Sequence, residues 1–333
     1  MDRIRIAVVG ATGMVGRMFL RVLEERGIDA DYTLFASAKS AGTAIPFMGR
    51  EHVVEELKED GFRGRGFSYA LFSAGGTISG IYAPLAAEAG AIVIDNSSCW
   101  RMDPDVPLVV PEVNPHALAS IKKGIVANPN CSTIQAVVPL KALDRAYTLD
   151  RVIYSTYQAV SGAGQRGYAD LEDGLCGALP KKFPHPIAGN CIPHIDVFLD
   201  TGYTKEEQKM IDETRKILER PDLKVTATCV RVPVFHGHSE SINVTFRRPF
   251  ELKDVFAILN ETEGVIVRDD PENNVYPMPI EAAGTDPVYV GRIHRDFSAE
   301  NGLNFWCVAD NIRKGAATNA VQILEYLLKG ENK

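Results

Sequence analysis

The chain has 333 residues, of which 45% are hydrophobic and 24% charged, with a formal net charge of −7. This length suits two domains, and the composition is typical of a globular protein. The acidic balance, without a basic block, argues against nucleic acid as a partner, and no apolar run approaches the ~20 residues that span a bilayer. The chain opens without a signal-peptide pattern, and its six cysteines are scattered. We therefore expect a cytoplasmic protein with reduced thiols, without disulfides or a zinc site.

The first predicted element is a strand at residues 4–9, followed by a glycine-rich turn and an amphipathic helix that ends near Gly27. The turn has the spacing G-x-x-G-x-x-G, formed by Gly10, Gly13 and Gly16. Such a turn lets the backbone approach a pyrophosphate, whose charge then faces the helix N-terminus. A purely structural turn is the alternative. The strand–turn–helix context favours a dinucleotide site.

The loop after the next predicted strand, residues 32–36, bears on the choice of cofactor. An NAD site would place an acidic residue there to bind the ribose hydroxyls. The chain instead has Ser37, Lys39 and Ser40. Hydroxyls and a cation suit a 2′-phosphate, so the sequence favours NADP, with a solvated polar loop as the alternative.

Further short apolar strands, at 69–73, 91–94 and 124–127, alternate with a helix at 80–89. This alternation predicts a parallel, doubly wound sheet. We expect the turn from Ser73 to Gly75 to pass close to the cofactor. Arg101 follows the strand at 91–94, where ligands bind in open α/β sheets, and is a candidate anion ligand. The alternative is an ordinary surface arginine.

Cys131 lies where the strand at 124–127 gives way to a helical pattern, across an Asn-Pro-Asn break. A thiol at a helix N-terminus faces backbone N–H groups and the positive end of the helix dipole, which favour a thiolate. The same N–H groups are positioned to stabilise an oxyanion after attack on a carbonyl. A small buried hydrophobe is the alternative for a lone cysteine.

The second half of the chain changes character. Longer strands are predicted at 150–160, 224–234, 241–248, 286–293 and 303–309, with helices near 166–175, 204–219 and 252–260. This pattern predicts an α+β domain with a mostly antiparallel sheet and helices on one face. The terminal helix is expected to dock on the first domain. The predicted domains are 1–132 with 313–333, and 133–312.

Two polar groups stand out in this half. The helix at 204–219 has a good start signal, Thr204 followed by Glu206 and Glu207. Glu213 and Lys216 share a face of this helix, and a solvated ion pair on the surface is the alternative interpretation.

His236 and His238 would lie on the same side of an extended chain. Gly237 between them makes an extended conformation uncertain and no third ligand follows, so a metal site is disfavoured. Acid–base work suits such a histidine better.

Together these stretches resemble the aspartate-β-semialdehyde dehydrogenase family nearly end to end. The resemblance implies a Rossmann-type dinucleotide-binding domain plus an α+β catalytic and dimerisation domain. The matching stretches are 10–16, 73–76, 95–98 with Arg101, 106–114, 128–133, 157–164, 193–196, 213–216, 231–238 and 310–317.

The resemblance implies a role for each matching side chain. Cys131 resembles the nucleophile, His238 the acid–base residue and Gln158 the glutamine that orients the substrate. Arg231 would hold the substrate carboxylate and Glu213 its amino group. Phosphate would be held by Arg101, Asn130 and Lys216. Contacts to NADP would come from Gly10, Thr12, Gly13, Met14, Val15, Ser37, Lys39, Ser40, Ser73, Gly75, Ser161, Gly162 and Asn311. No metal and no role for His236 are implied.

The implied reaction is NADPH-dependent reduction of L-aspartyl-4-phosphate to L-aspartate-4-semialdehyde and phosphate, through a Cys131 thioester. It belongs to lysine, threonine, methionine and diaminopimelate biosynthesis. A homodimer is implied as well. The alternatives are N-acetyl-γ-glutamyl-phosphate reductase, which would have no free amine for Glu213 to recognise, and a non-catalytic NADP-binding sensor.

Overall fold

A computed structural model describes residues 3–331. These residues form two compact units: one takes in the chain up to Pro129 and from Ala316 onward, and the other is Asn130–Gly315. The predicted domain bounds at 132/133 and 312/313 stay predictions, and their outer limits, 1 and 333, lie outside the described residues. Among residues 3–331, no helix combines the length and the apolar character that crossing a bilayer requires.

The first unit is built on a parallel sheet. Its strands and one hairpin are β1 (Arg5–Val9), β2 (Asp31–Ala36), β3 (Ala44–Phe47), β4 (Arg50–Val53), β5 (Glu55–Glu56), β6 (Tyr69–Phe72), β7 (Ile92–Asp95) and β8 (Ile125–Ala127). The sheet order is β5-β2-β1-β6-β7-β8, and the β3–β4 hairpin stands apart. The helices are α1 (Met14–Glu25), α2 (Gly76–Glu88) and a C-terminal helix, Asn319–Glu331.

Both faces of this sheet are buried, as a parallel sheet requires. Alternate residues of β1, Ile6 and Val8, join a core with Phe19 of α1 and Leu324 of the C-terminal helix. The residues between them, such as Ala7, are also fully buried and face the other side. The predicted doubly wound sheet is therefore confirmed.

The order of the strands places the candidate cofactor residues at one edge. All pairings in the sheet are parallel, so the carboxyl ends of β1, β2, β6 and β7 lie at the same edge. Chain order reverses between the neighbours β1 and β6, which is where such sheets bind ligands. Gly10 follows β1 and Ser73 follows β6. A Cβ on Gly10 would stand 2.4 Å from the Ser73 carbonyl oxygen, so only glycine fits.

The second unit contains a second six-stranded sheet, ordered β10-β9-β11-β14-β13-β12. The strands are β9 (Leu149–Gln158), β10 (Lys224–Arg231), β11 (His238–Phe246), β12 (Val265–Val267), β13 (Val288–Asp296) and β14 (Gly302–Ala309). The helices are α3 (Cys131–Tyr147), α4 (Gly164–Leu175), α5 (Lys205–Leu218), α6 (Leu252–Glu261) and α7 (Pro279–Ala282).

This sheet is mixed. The three central pairings, β9–β11, β11–β14 and β14–β13, are antiparallel, whereas the outer strands β10 and β12 pair in parallel. Helices α3, α5 and α6 contact its strands. Residues of β11 alternate between buried Glu240 and Ile242 and exposed Ser241, so one face is covered and the other is open. The predicted α+β class is confirmed.

Most predicted elements lie within a few residues of the observed ones, but short elements escaped prediction. These are the hairpin β3–β4, the two- and three-residue strands β5 and β12, and the single turn α7. Such elements carry too few residues to show a period of 2 or 3.6. A second difference concerns His238, which is the first residue of strand β11, whereas the sequence placed it in the turn before a strand at 241–248.

Candidate active site

Cys131 is the first residue of α3, and Asn130 is the N-cap of that helix. The Asn130 side-chain oxygen accepts hydrogen bonds from the backbone N–H groups of Ser132 (3.0 Å) and Thr133 (3.3 Å). Those N–H groups are therefore not free to hold an oxyanion, which corrects the expectation drawn from the helix start. The cap holds the first turn in place, and Cys131 remains partly exposed.

Two buried carboxylates of α5 hold Asn130 from the other side. The Asn130 backbone N–H donates to Glu213 Oε2 at 2.6 Å, and the Asn130 side-chain nitrogen donates to Glu206 Oε1 at 2.8 Å. Glu213 is 1% exposed. The interpretation of Glu213 as half of a solvated surface pair with Lys216 is therefore wrong.

His238 is fully buried at the start of β11. Its Nδ1 accepts the Ala159 backbone N–H at 3.0 Å, while Nε2 has no hydrogen-bond partner among residues 3–331. Burial, reinforced by the Arg231 guanidinium, lowers the pKa of His238 to about 3. The neutral ring therefore carries its proton on Nε2, because the Nδ1 lone pair is already occupied. In this form His238 is a proton donor. The predicted role as a base toward the thiol requires the other tautomer.

Arg231 ends β10 and lies beside His238. Its Nη1 donates to the Ala159 carbonyl oxygen at 2.6 Å, and its Nε has no hydrogen-bond partner within the described chain. Burial lowers the pKa of Arg231, and the opposite charges of Glu206 and Cys131 work against that shift. A Cβ on Gly162 would stand 2.9 Å from Arg231 Nη1 and 3.1 Å from His238 Nε2. Gly162 thus marks the place where these two side chains meet.

Gln158 is the last residue of β9, and both the nitrogen and the oxygen of its side-chain amide are hydrogen-bonded. Its nitrogen donates to Glu206 Oε1 at 3.1 Å, and its oxygen accepts from Thr156 Oγ1 at 3.1 Å. The strand pairing places Gln158 directly opposite Arg231. The second unit therefore carries a cluster of candidate residues drawn from five elements, α3, β9, α5, β10 and β11: Cys131, Asn130, Gln158, Glu213, Arg231 and His238.

Arg101 belongs to the first unit and is buried, with 7% exposure. Its Nε donates to the Asn128 carbonyl oxygen at 2.9 Å, and Nη2 donates to the Asn96 carbonyl oxygen at 3.0 Å. Both of these hydrogen bonds go to neutral backbone carbonyl groups and hold the guanidinium in place. The alternative of an ordinary surface arginine is wrong.

The glycine turn of the first unit is a closed, tight loop. Gly10 has φ of +83°, and its N–H donates to the Phe35 carbonyl oxygen at 2.8 Å. Gly13 is the N-cap of α1 and supplies no side-chain cap, so the first N–H groups of the helix are not covered by a side chain. A Cβ on Gly16 would stand 2.0 Å from the Gly10 carbonyl oxygen. The remaining candidates around this turn are Thr12, Met14, Val15, Ser73 and Gly75.

The three hydroxyl and amine candidates for a 2′-phosphate lie just past β2. The backbone N–H of Ser40 donates to the Ser37 carbonyl oxygen at 2.9 Å, forming a tight turn. Ser37 and Lys39 are exposed, and Ser40 is half-buried.

In the second unit, Ser161 and Asn311 form a buried pair. The Asn311 side-chain nitrogen donates to Ser161 Oγ at 3.0 Å, and Asn311 Oδ1 accepts the Gly237 backbone N–H at 3.0 Å. His236 directly precedes Gly237, and its ring packs on Tyr168 at 5.5 Å between centroids. Within the described residues, no group of three or more His, Cys, Asp or Glu is arranged to hold a metal ion.

Known proteins resemble the chain along its whole length. A semialdehyde dehydrogenase NAD-binding domain matches residues 5–121, and a semialdehyde dehydrogenase dimerisation domain matches residues 140–314. The aspartate-semialdehyde dehydrogenase of Aquifex aeolicus is 56% identical over 335 residues, covering 98% of each chain. That of Bacillus subtilis is 48% identical, again covering 98% of each. The chain belongs to the aspartate-semialdehyde dehydrogenase family.

Solved structures of aspartate-semialdehyde dehydrogenases agree. The Vibrio cholerae enzyme II, complexed with ASA, superposes with a TM-score of 0.95 at 46% identity, covering 99% of each chain. A Candida albicans enzyme with NADP gives a TM-score of 0.76 at 27% identity, covering 98% of each chain. The predicted resemblance is therefore confirmed, and the family assignment does not favour the acyl-glutamyl-phosphate reductase or the sensor.

Within this aspartate-semialdehyde dehydrogenase family member, sequence reasoning missed two residues that shape the site, Glu206 and Gly315, and gave a third, Gly162, a different role. Glu206 was interpreted only as a helix-start signal. Gly315 was not singled out, although a Cβ on it would stand 2.9 Å from the Cys131 Cβ. Gly162 was named for the cofactor and not for its contact with Arg231 and His238. A glycine beside Cys131 in space but far from it in sequence leaves no local signal.

Proposed function

We propose that this chain reduces L-aspartyl-4-phosphate to L-aspartate-4-semialdehyde and phosphate with NADPH, through a thioester on Cys131. The observation that supports it most strongly is the cluster in the second unit. A partly exposed thiol at a capped helix start shares that unit with a buried histidine and a buried arginine, each with an unpaired nitrogen among the described residues. Nucleophile, proton donor and carboxylate ligand are the three groups this reaction needs.

The steps follow from the side chains. The Cys131 thiolate attacks the acyl-phosphate carbonyl, and the tetrahedral oxyanion accepts a hydrogen bond from His238 Nε2–H. The carbonyl re-forms as the C–O bond to phosphate breaks, which leaves a thioester. When bound, NADPH supplies the hydride that reduces this thioester. His238 Nε2–H again faces the resulting oxyanion, and its collapse returns the Cys131 thiolate and releases the aldehyde.

Side chains of opposite charge are proposed to bind the carboxylate and the amino group of the substrate. Arg231 is suited to the substrate carboxylate because its fork-shaped guanidinium binds carboxylates with two parallel hydrogen bonds. Glu213 provides the negative charge for the amino group. Arg101, Asn130 and Lys216 are proposed for phosphate, and Gln158 orients the carbonyl.

We propose NADP as the cofactor. The first unit fits a dinucleotide, since Gly10 follows β1 where the chain order of the sheet reverses and α1 presents an N-terminus without a side-chain cap. Ser37, Lys39 and Ser40 would hold the 2′-phosphate, and no carboxylate directly follows β2. Ser161, Gly162 and Asn311 of the second unit are proposed as further cofactor contacts.

We further propose a homodimer that uses the open face of the second sheet. Tyr157, Ser241 and Trp306 share this face, and Tyr157 is 40% exposed although its ring packs on Trp306 at 5.3 Å. An aromatic surface of this kind is suited to a two-fold interface. The cytoplasmic location stays a prediction from the scattered cysteines.

The test is NADP⁺ reduction with L-aspartate-4-semialdehyde, in the presence and absence of inorganic phosphate. We expect phosphate-dependent formation of NADPH by the wild type. Cys131→Ala should abolish it, and Cys176→Ala, which removes an exposed thiol elsewhere in the second unit, should leave it intact. Turnover that ignored phosphate would contradict the roles of Arg101 and Lys216. A folded wild type that binds NADP⁺ but does not turn over would contradict the function itself.

A further inference from the structure

Glu206 is a buried carboxylate without a role in the chemistry above, although it touches two residues that have one. It is 5% exposed and lies in the first turn of α5. Glu213 follows seven residues later, two turns along the same helix face. The two carboxylates hold Asn130 together: Glu206 binds its side chain and Glu213 binds its backbone N–H.

The hydrogen bonds of Glu206 leave its own helix. Oε1 accepts from the side-chain nitrogens of both Asn130 (2.8 Å) and Gln158 (3.1 Å). Oε2 pairs with Lys209 Nζ at 3.1 Å, and Lys209 also pairs with Asp196 at 2.8 Å. Glu206 therefore binds a positively charged lysine through one carboxylate oxygen and two side-chain amides of the site through the other.

The charge state of Glu206 follows from these neighbours. Burial alone would raise the pKa of Glu206, but the charge of Lys209 and the two amide hydrogen bonds lower it to about 2. The group is therefore ionised at neutral pH and can only accept hydrogen bonds. Each amide must turn its NH₂ group toward it.

This requirement fixes the remaining atoms of both amides. The Gln158 oxygen turns to Thr156 Oγ1, which leaves the second N–H of its amide as the donor for a ligand. The Asn130 oxygen turns to the N–H groups of Ser132 and Thr133 at the start of the helix that carries Cys131. A flipped amide in either residue would place a carbonyl oxygen against a carboxylate oxygen, which is repulsive.

We infer that Glu206 is a positioning residue for this reaction: its carboxylate sets the direction of the Gln158 amide and braces the cap of the helix that begins at Cys131. The inference rests on the proposed function, which it deepens by naming what orients the substrate-facing amide.

Glu207 offers a matched control in the same turn. It is also a buried carboxylate, but within the described chain its oxygens accept from backbone N–H groups alone, those of Thr204 (2.7 Å) and Cys229 (3.0 Å). Glu207 and Thr204 form the capping box of α5. A change at Glu207 therefore removes a buried acid of the same helix without touching either amide.

The experiment compares Glu206→Gln with Glu207→Gln in the assay for the proposed function. We expect kcat of Glu206→Gln to fall by about 100-fold, the scale of a misplaced reacting group. KM for NADP⁺ should not change. Glu207→Gln should keep the wild-type kcat even if its melting temperature falls as much as that of Glu206→Gln. Equal losses of kcat in the two variants would overturn the inference. If Glu206→Gln does not fold, Glu206→Asp is compared with Glu207→Asp instead. The shorter aspartate keeps the charge but moves the carboxylate oxygens away from the two amides.

A double-mutant cycle identifies the route of the effect. In a Gln158→Ala background only the Asn130 amide is left for Glu206 to orient, so Glu206→Gln should lower kcat by no more than about tenfold, since coupled residues are non-additive. An undiminished loss in that background would also overturn the inference. Failure of the wild type to turn over would instead contradict the proposed function, so the two failures are distinguishable.

Discussion

At the scale of single residues, Glu240 is a buried carboxyl group that lacks hydrogen-bond partners among the described residues. It lies two residues after His238 on the covered face of β11, and neither carboxyl oxygen has a hydrogen-bond partner within residues 3–331. Burial raises the pKa of Glu240 well above its usual value. The folded protein therefore keeps Glu240 protonated under conditions in which the unfolded chain releases that proton.

The sign of the resulting pH dependence follows from this difference. A raised folded-state pKa gives stability that is present below pH 4.5, the value for an exposed glutamate, and is lost as pH rises. Glu240→Gln, which is neutral at every pH, should therefore gain stability relative to the wild type between pH 5 and pH 8, by about 1.4 kcal/mol for each pH unit over which the folded protein holds this proton and the unfolded chain does not. Urea unfolding at both pH values measures it. A stability difference that did not change with pH would contradict the assignment.

Gly162 gives a second prediction at this scale. A methyl group there would push on both Arg231 Nη1 and His238 Nε2. Gly162→Ala should lower kcat/KM for the semialdehyde by about 100-fold with little change in melting temperature, because the displaced atoms are those that face the substrate. Gly80→Ala is the control, since its new Cβ meets only the Cys99 sulfur at an ordinary 3.5 Å. Equal activity of the two variants would argue against this arrangement.

At the scale of elements, a stretch of π-helix, Arg313–Thr318, precedes the C-terminal helix. Such widened turns are rare and frequent at functional sites. Here Gly315, the last residue of the second unit, approaches Cys131 so closely that a Cβ would stand 2.9 Å from the Cys131 Cβ and 3.3 Å from its carbonyl oxygen. The π-helical stretch therefore packs against Cys131 and fixes the position of the first residue of α3.

Gly315→Ala should consequently displace Cys131. We expect the rate of Cys131 alkylation by iodoacetamide and kcat to change together, with kcat falling by about 100-fold. Gly330→Ala in the C-terminal helix, where an added Cβ meets nothing within 4 Å, should leave both unchanged. Unchanged alkylation in Gly315→Ala would show that the contact does not position the thiol.

At the scale of the whole molecule, the open face of the second sheet carries the proposed dimer. A charge at its centre would have to be buried on association without a partner, which is costly. Tyr157→Asp should shift the protein toward monomer and lower its melting temperature. Light scattering coupled to size exclusion measures the mass. Glu219→Gln on the far end of α5 serves as the surface control. A wild type that elutes as a monomer at micromolar concentration would contradict the proposal.

The sequence alone determined those features that depend on neighbours along the chain. The glycine turn after β1, the strand-to-helix break before Cys131 and the alternation of strands and helices are local, and each appears where its residues predict it. The position of Cys131 at a helix N-terminus could likewise be predicted, because a proline and two asparagines directly before it mark the start of the helix.

Only the tertiary structure decided which polar groups are buried and what they touch. Glu206 and Glu240 look like ordinary exposed acids in the sequence, yet one is the junction of two amides and the other holds a proton without a partner. The Asn130 side chain binds the N–H groups that the sequence had assigned to an oxyanion, and Arg101 is buried and donates to two backbone carbonyl oxygens. Burial and pairing depend on residues that are distant in sequence, so hydrophobic period and motif spacing carry no information about them.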